Sequence, residues 1–198
     1  MDLGFYSTSN LRDDVTKKTV QFNNNEYYWK APINGIWLGT NENTKFGLKN
    51  ASVILETGLQ CAYIPEDYYA DIFSRVMEWS TGYFFNDDGD TLVDCGDVQN
   101  MLTIRYLVND KWLETAVSDY LVPVTTEIAG VDRSTGLCSV CIKQSSDVYW
   151  HLGTSALIGY YSEFDMVART IAFTPIDTSQ KMDIVSGSRP SLVLGLSW

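Results

Sequence analysis

A single histidine, His151, occurs among the 198 residues, with neither a Gly-x-Ser-x-Gly elbow nor a His-Glu-x-x-His helix. A Ser-His-Asp hydrolase or a zinc peptidase would therefore lack essential parts. No P-loop and no Gly-x-Gly-x-x-Gly is present, which removes the usual nucleotide cradles. Basic residues are scarce: 14 Lys and Arg against 25 Asp and Glu leave a net charge of −11, which repels phosphate backbones and anionic lipid and argues against a nucleic-acid partner. No apolar run reaches the ~18 residues of a membrane span. The four cysteines, Cys61, Cys95, Cys138 and Cys141, lack the doubled Cys-x-x-Cys spacing of a zinc site. Asn86-Asp87-Asp88-Gly89-Asp90 misses the EF-hand positions and reads as a solvated turn. Neither a metal nor a cofactor is expected. Met1-Asp2-Leu3-Gly4-Phe5 has no basic head and no apolar run of signal-peptide length, so targeting is not legible and a cleaved leader or a longer precursor stays open.

What is present is a composition 45% hydrophobic and 13% aromatic, at a length suited to one folded domain. Short β-rich runs separated by turn residues dominate. Candidate strands are 19–22, 27–30, 33–38, 52–55, 91–95, 102–108, 112–117, 137–142, 162–165 and 170–173. Asn34-Gly35, Asp88-Gly89 and Asn109-Asp110 are placed as turns, the last as the best hairpin. Two helices interrupt this pattern. Pro65, Glu66 and Asp67 open one whose apolar stripe is Tyr69, Ile72, Phe73 and Val76, with Gly82 beyond its end. A shorter one starts after Gly153, capped by Thr154 and Ser155, with Leu157, Ile158 and Tyr161 on one face. The fold class is all-β, antiparallel, with two short helices. His151, on a strand that looks buried, reads as a hydrogen-bonded core residue.

Val53-Ile54-Leu55-Glu56-Thr57-Gly58 is an apolar strand that delivers a carboxylate at a tight Thr-Gly turn. Ahead of it stand Tyr28-Trp29 and Ile33-Asn34-Gly35-Ile36, and before those Asp2 to Tyr6 and Val20 to Phe22. After it come Pro65 and its helix, Asp88-Gly89-Asp90 leading to Val93 and Cys95, Leu102-Thr103-Ile104, the hairpin to Trp112, Asp119-Tyr120 and Gly136-Leu137-Cys138. Trp150-His151-Leu152-Gly153, Tyr160-Tyr161 and Phe164-Asp165 then run to Ile171-Ala172-Phe173. In this order the features resemble the carboxy-terminal lobe of pepsin-like aspartic peptidases, with Glu56 where the catalytic aspartate of Asp-Thr-Gly stands. The resemblance covers residues 1–173 as one lobe; 174–198 read as a carboxy-terminal extension.

The resemblance implies that Glu56, Thr57 and Gly58 occupy the catalytic position in degenerate form. It pairs Cys95 with Cys138, which implies an oxidising compartment: the secretory pathway, the extracellular space or a vacuolar or lysosomal lumen. Cys61 and Cys141 have no clear counterpart, and free thiols and a second bridge are equally compatible with the sequence. In that setting Asn50-Ala51-Ser52 reads as an N-glycosylation sequon. Aspartic peptidases use two carboxylates, one per lobe, sharing a proton around one water. This chain holds one such turn, with no second Asp-Thr-Gly or Asp-Ser-Gly. Glu56 adds a methylene, Leu59 stands where a hydroxyl residue usually follows the glycine, and Thr154 stands where an aspartate usually follows Leu-Gly. The expectation is a lobe that no longer cleaves peptides and acts as a binding or structural module. Two rivals remain: one lobe of an endopeptidase whose amino-terminal lobe comes from a separate or upstream segment, and a subunit of a homo-oligomer or filament. The chain begins inside the family's interlobe hairpin, as a fragment would. Residues 1–6 and Leu192 to Leu196 are expected to be covered by another polypeptide: the missing lobe, a second copy or a different subunit. A peptide partner stays open, but half of the family's cleft is absent from this sequence, so no particular peptide is implied.

Overall fold

A computed structural model describes residues 18–22, 28–128, 131–176, 184–192 and 194. Its strands and helices follow in chain order as β1 (Lys18–Gln21), β2 (Lys30–Leu38), β3 (Lys45–Gly47), β4 (Ser52–Leu55), β5 (Ala62–Ile64), α1 (Glu66–Met77), β6 (Tyr83–Phe85), β7 (Thr91–Asp94), β8 (Ile104–Val108), β9 (Lys111–Thr115), α2 (Val117–Tyr120), β10 (Leu121–Ile128), β11 (Val131–Val140), β12 (Ile142–Gln144), β13 (Trp150–Leu152), α3 (Thr154–Leu157), β14 (Tyr160–Asp165) and β15 (Thr170–Pro175). The all-β lobe expected from the sequence is present, with α2 as a further one-turn helix; Asp119 accepts from the Ala116 amide at its start.

Among the described residues, three sheets organise the fold. The largest runs β12-β5-β13-β4-β2-β8-β9, with β3 added to β2; a second is β10-β11-β7-β6 and a third β1-β15-β14. Pairing is antiparallel except where β13 runs parallel to β4 and β12 parallel to β5. Trp150, Tyr106, Tyr120 and Phe173 are the largest wholly buried side chains, and they join the sheets into one apolar core. Buried Arg105 pairs with Glu114 at 2.7 Å, donates to the Gly39 carbonyl at 2.6 Å and lies over the ring of Trp37, which packs with Leu107 and Trp112 in a smaller second cluster, so the buried charge has partners.

Local chemistry accounts for most elements. Pro65 stands at the start of α1, Glu66 and Asp67 lie in its first turn, and Ile72, Phe73, Val76 and Met77 face the core. Asn109 adopts φ 54° in the β8–β9 hairpin, and Gly89 adopts φ 81° between β6 and β7. Asn34-Gly35 is not a turn: it lies within β2, where the register against β8 slips between Ile33 and Gly35. A Cβ on Gly35 would meet Pro190 at 2.8 Å and the Phe46 carbonyl at 2.9 Å, so this glycine permits close packing at a bulge. The run expected over 137–142 breaks at Cys141, whose amide still donates to the Tyr120 carbonyl in the β10–β11 register while its carbonyl accepts from the Ala62 amide, so the chain passes there from one sheet to the other. The run over 27–30 reduces to Lys30, with Tyr28 exposed and Tyr27 outside the described residues. α3 also differs: Gly153 is its N-cap, with no side-chain capping bond from Thr154 or Ser155, and Ile158 is exposed.

Both cysteine pairs are bridged. Cys95–Cys138 ties the end of β7 to β11, and Cys61–Cys141 ties the start of β5 to the start of β12, which settles the state of the second pair. The described part of the extension lies on the chain's own sheet. The Val185 carbonyl accepts from the Trp112 amide, the Leu192 carbonyl accepts from the Gly47 amide, and Ile184 and Leu194 are buried in the core. Leu194 thus needs no other polypeptide to cover it, whereas Leu192 is half exposed. Residues 1–6, 193, 195 and 196 fall outside the described residues.

Candidate functional site

β4 carries Val53, Ile54 and Leu55 into the core and ends at Glu56, half-buried, followed by exposed Thr57 and Gly58. The chain turns there, with the Leu59 amide donating to the Glu56 carbonyl, and re-enters the sheet as β5 with one strand's width left between. β13 fills that gap. It pairs parallel with β4 in the register His151 to Ile54 and antiparallel with β5 in the register His151 to Tyr63.

The segment after β13 then buttresses the turn. The Glu56 amide donates to the Leu152 carbonyl at 3.0 Å, while the Gly153, Thr154 and Ser155 amides donate to the carbonyls of Cys61, Leu59 and Gln60 at 3.2, 2.8 and 2.9 Å. A Cβ on Gly153 would sit 2.5 Å from both the Leu59 and Cys61 carbonyl oxygens, so only glycine fits. This is the relation between the Leu-Gly segment and the catalytic-type turn that the resemblance implies. The Cys61–Cys141 bridge fixes the far end of the same loop.

Side-chain chemistry at the turn centres on His151. Its Nδ1 lies 3.0 Å from Glu56 Oε1, and its Nε2 lies 3.1 Å from Asp147 Oδ2 and 3.2 Å from Oδ1. Each ring nitrogen thus has one carboxylate within hydrogen-bond distance. Asp147 is held in place by the Tyr149 amide at 2.6 Å and by Ser145. Burial pushes the Asp147 carboxyl up, but the Tyr149 amide, the hydrogen bond and charge of His151, and Ser145 together leave it lowered. His151 is hydrogen-bonded, as the sequence suggests, but its partners are the site's own carboxylates, and the sequence alone marks neither it nor Asp147 as a site residue. The signal lies in the parallel register that sets Trp150-His151-Leu152 beside Val53-Ile54-Leu55. Leu59 and Thr154 contribute backbone groups to the loop; Thr154 Oγ1 reaches the Gln60 carbonyl at 3.4 Å.

Among the described residues, no three His, Cys, Asp or Glu side chains cluster as metal ligands. Asn50 is exposed at φ 52° in the turn before β4, beside a polar recess of about 380 Å³ that Asp147 and Tyr68 also line.

This strand-and-loop arrangement, with the cysteine pair and the order of elements, defines a pepsin-like lobe. A sequence profile of the eukaryotic aspartyl protease family matches residues 1–176, and the chain belongs to that family. Among its relatives, rabbit (Oryctolagus cuniculus) gastricsin is 27% identical over 151 residues, covering 76% of this chain and 36% of the relative. Dog (Canis lupus familiaris) pepsin B is 26% identical over 179 residues, covering 87% and 40% respectively. Human (Homo sapiens) gastricsin is 22% identical over 154 residues, covering 75% and 36%. The chain thus spans well under half the length of these relatives.

Proposed function

We propose that this chain is a catalytically impaired aspartic-peptidase lobe that serves as a binding or structural module. The observation that carries the reading is the contact between Glu56 and His151. Aspartic-peptidase chemistry needs a carboxylate able to share a proton with a second carboxylate across one water. A carboxylate bonded to an imidazole, itself bonded to Asp147, is committed elsewhere. The longer Glu56 side chain also displaces the acid by about a bond length, where productive geometry tolerates about 0.5 Å. Incubating the purified chain with an unfolded protein substrate at acid pH, with and without pepstatin, tests this: no cleavage is expected, and pepstatin-sensitive cleavage overturns it.

A second reading, one lobe of an endopeptidase completed by an amino-terminal lobe, is favoured by a separate observation. Thr57 and Gly58 are exposed, and among the described residues nothing stands within 4 Å of where a Gly58 Cβ would point, which leaves the loop tip available to another lobe. Upstream coding sequence with an Asp-Thr-Gly turn would favour it. The homo-oligomer reading draws no support from the extension, whose described residues pack on their own sheet; a solution mass above one chain would restore it. The two disulfides fit the secretory pathway, and on this reading Asn50 carries an N-glycan there.

A further inference from the structure

We propose that the outer edge of β6 is a docking site for an extended, basic polypeptide segment of another protein, which adds to the sheet as a further strand. β6 is Tyr83-Phe84-Phe85, three consecutive aromatic residues that are 48, 50 and 61% exposed. Because side chains alternate along a strand, both faces of this edge carry rings. Among the described residues β6 pairs only with β7, which leaves its other edge a template for strand addition.

The edge is fixed at both ends before any partner arrives. Upstream, buried Asp97 accepts from the Thr81 amide at 3.1 Å and from its hydroxyl at 3.3 Å. Downstream, the Asn86 side chain accepts from the Asp88 and Asp90 amides at 3.1 and 2.7 Å. Tyr83 is braced edge-on by Phe73 and Phe85 at ring distances of 5.8 and 5.9 Å. Such preorganisation lowers the ordering cost of binding. β6 contains neither lysine nor proline to blunt the edge. Its three residues are too few for indiscriminate sheet growth, so the rings and the adjacent charge select what docks.

That charge identifies the occupant. Exposed Asp87 and Asp88 follow β6 directly, and the chain as a whole carries −11. A second copy would bring the same acidic turn and the same net charge, whereas an apolar strand bearing lysine or arginine gains attraction at the turn and apolar contact along the rings. The site is independent of Glu56 and of any peptidase reading.

The test uses the full oxidised chain and, as probe, a short synthetic peptide alternating valine with lysine. Hydrogen exchange should slow at 83–85 on peptide addition, binding should weaken as salt rises, and Phe84→Lys should reduce affinity at least about tenfold. Phe84 is half exposed, so the variant keeps its fold, which circular dichroism checks; Phe85→Lys serves as a second variant with the same expectation. Equal binding of a peptide with glutamate for lysine, or unchanged binding by both variants, overturns the proposal. So does slow exchange, in the monomer before peptide is added, of those 83–85 amides that do not donate to β7, which would mean the chain covers its own edge. A dimer dissolved by Phe84→Lys would assign the edge to a second copy and overturn it too.

Discussion

Asp147 links the candidate site to folding stability. Its carboxyl is lowered in the folded chain, as hydrogen bonds from the Tyr149 amide and His151 outweigh the burial that would raise it. A carboxyl so lowered contributes stability that is present above its unfolded value of about 3.9 and is lost as pH falls through the folded value. Asp147→Asn should therefore flatten the acid limb of the unfolding midpoint measured in urea, and the difference should shrink with salt because the side chain is half exposed. Identical acid limbs in both proteins would contradict the contact. Glu56 was legible as a residue because it stands in a short local pattern, an apolar strand followed by Thr-Gly. His151 was not legible as its partner, since the two lie 95 residues apart and meet only through the order of strands.

Elements read best where their signals are local. β4 spans the residues expected of it, α1 has its proline and acids at one end and buries Ile72, Phe73 and Val76 of the expected stripe, with Tyr69 only partly buried and Met77 added, and Asn109-Asp110 makes the hairpin. Asn34-Gly35 misled because a glycine that a turn would need for its backbone is needed here for close packing, and that demand comes from Phe46 and Pro190, remote in sequence. Gly153 is the strictest case of the same kind. Gly153→Ala drives a methyl into two backbone carbonyls and should cost about 3 kcal/mol by urea unfolding, as overpacking of a rigid site does; a change near zero would mean the buttress is loose. The extension is testable as an element too. A chain ending at Ile176 loses buried Ile184 and Leu194 and the segment bonded to the Trp112 amide, so its stability should fall by about 3 kcal/mol or more, with a red shift in tryptophan emission. Unchanged stability and emission would show the extension to be an ornament.

Among the described residues, a large apolar core, a smaller cluster and two bridges hold three sheets together. Cys95–Cys138 was legible through the family resemblance, while Cys61–Cys141 depended on β12 lying beside β5, which no local pattern announces. Burial raises the phenols of Tyr106, Tyr120 and Tyr160 well above the usual tyrosine value. A phenol raised in the folded state binds its proton more tightly there than in the unfolded chain, so stability falls as pH rises beyond about 10. Ultraviolet titration should show these three ionising only together with loss of structure, and smooth ionisation with the fold retained would contradict their burial. The central claim is that Glu56 is committed to His151 and through it to Asp147. Because His151 is the sole histidine, its ring nitrogens give the only imidazole signals in a nitrogen-15 spectrum of the whole chain. Glu56→Gln should shift the Nδ1 signal and Asp147→Asn the Nε2 signal, whereas a ring indifferent to Glu56→Gln would contradict the account and return Glu56 to the pool of available catalytic acids.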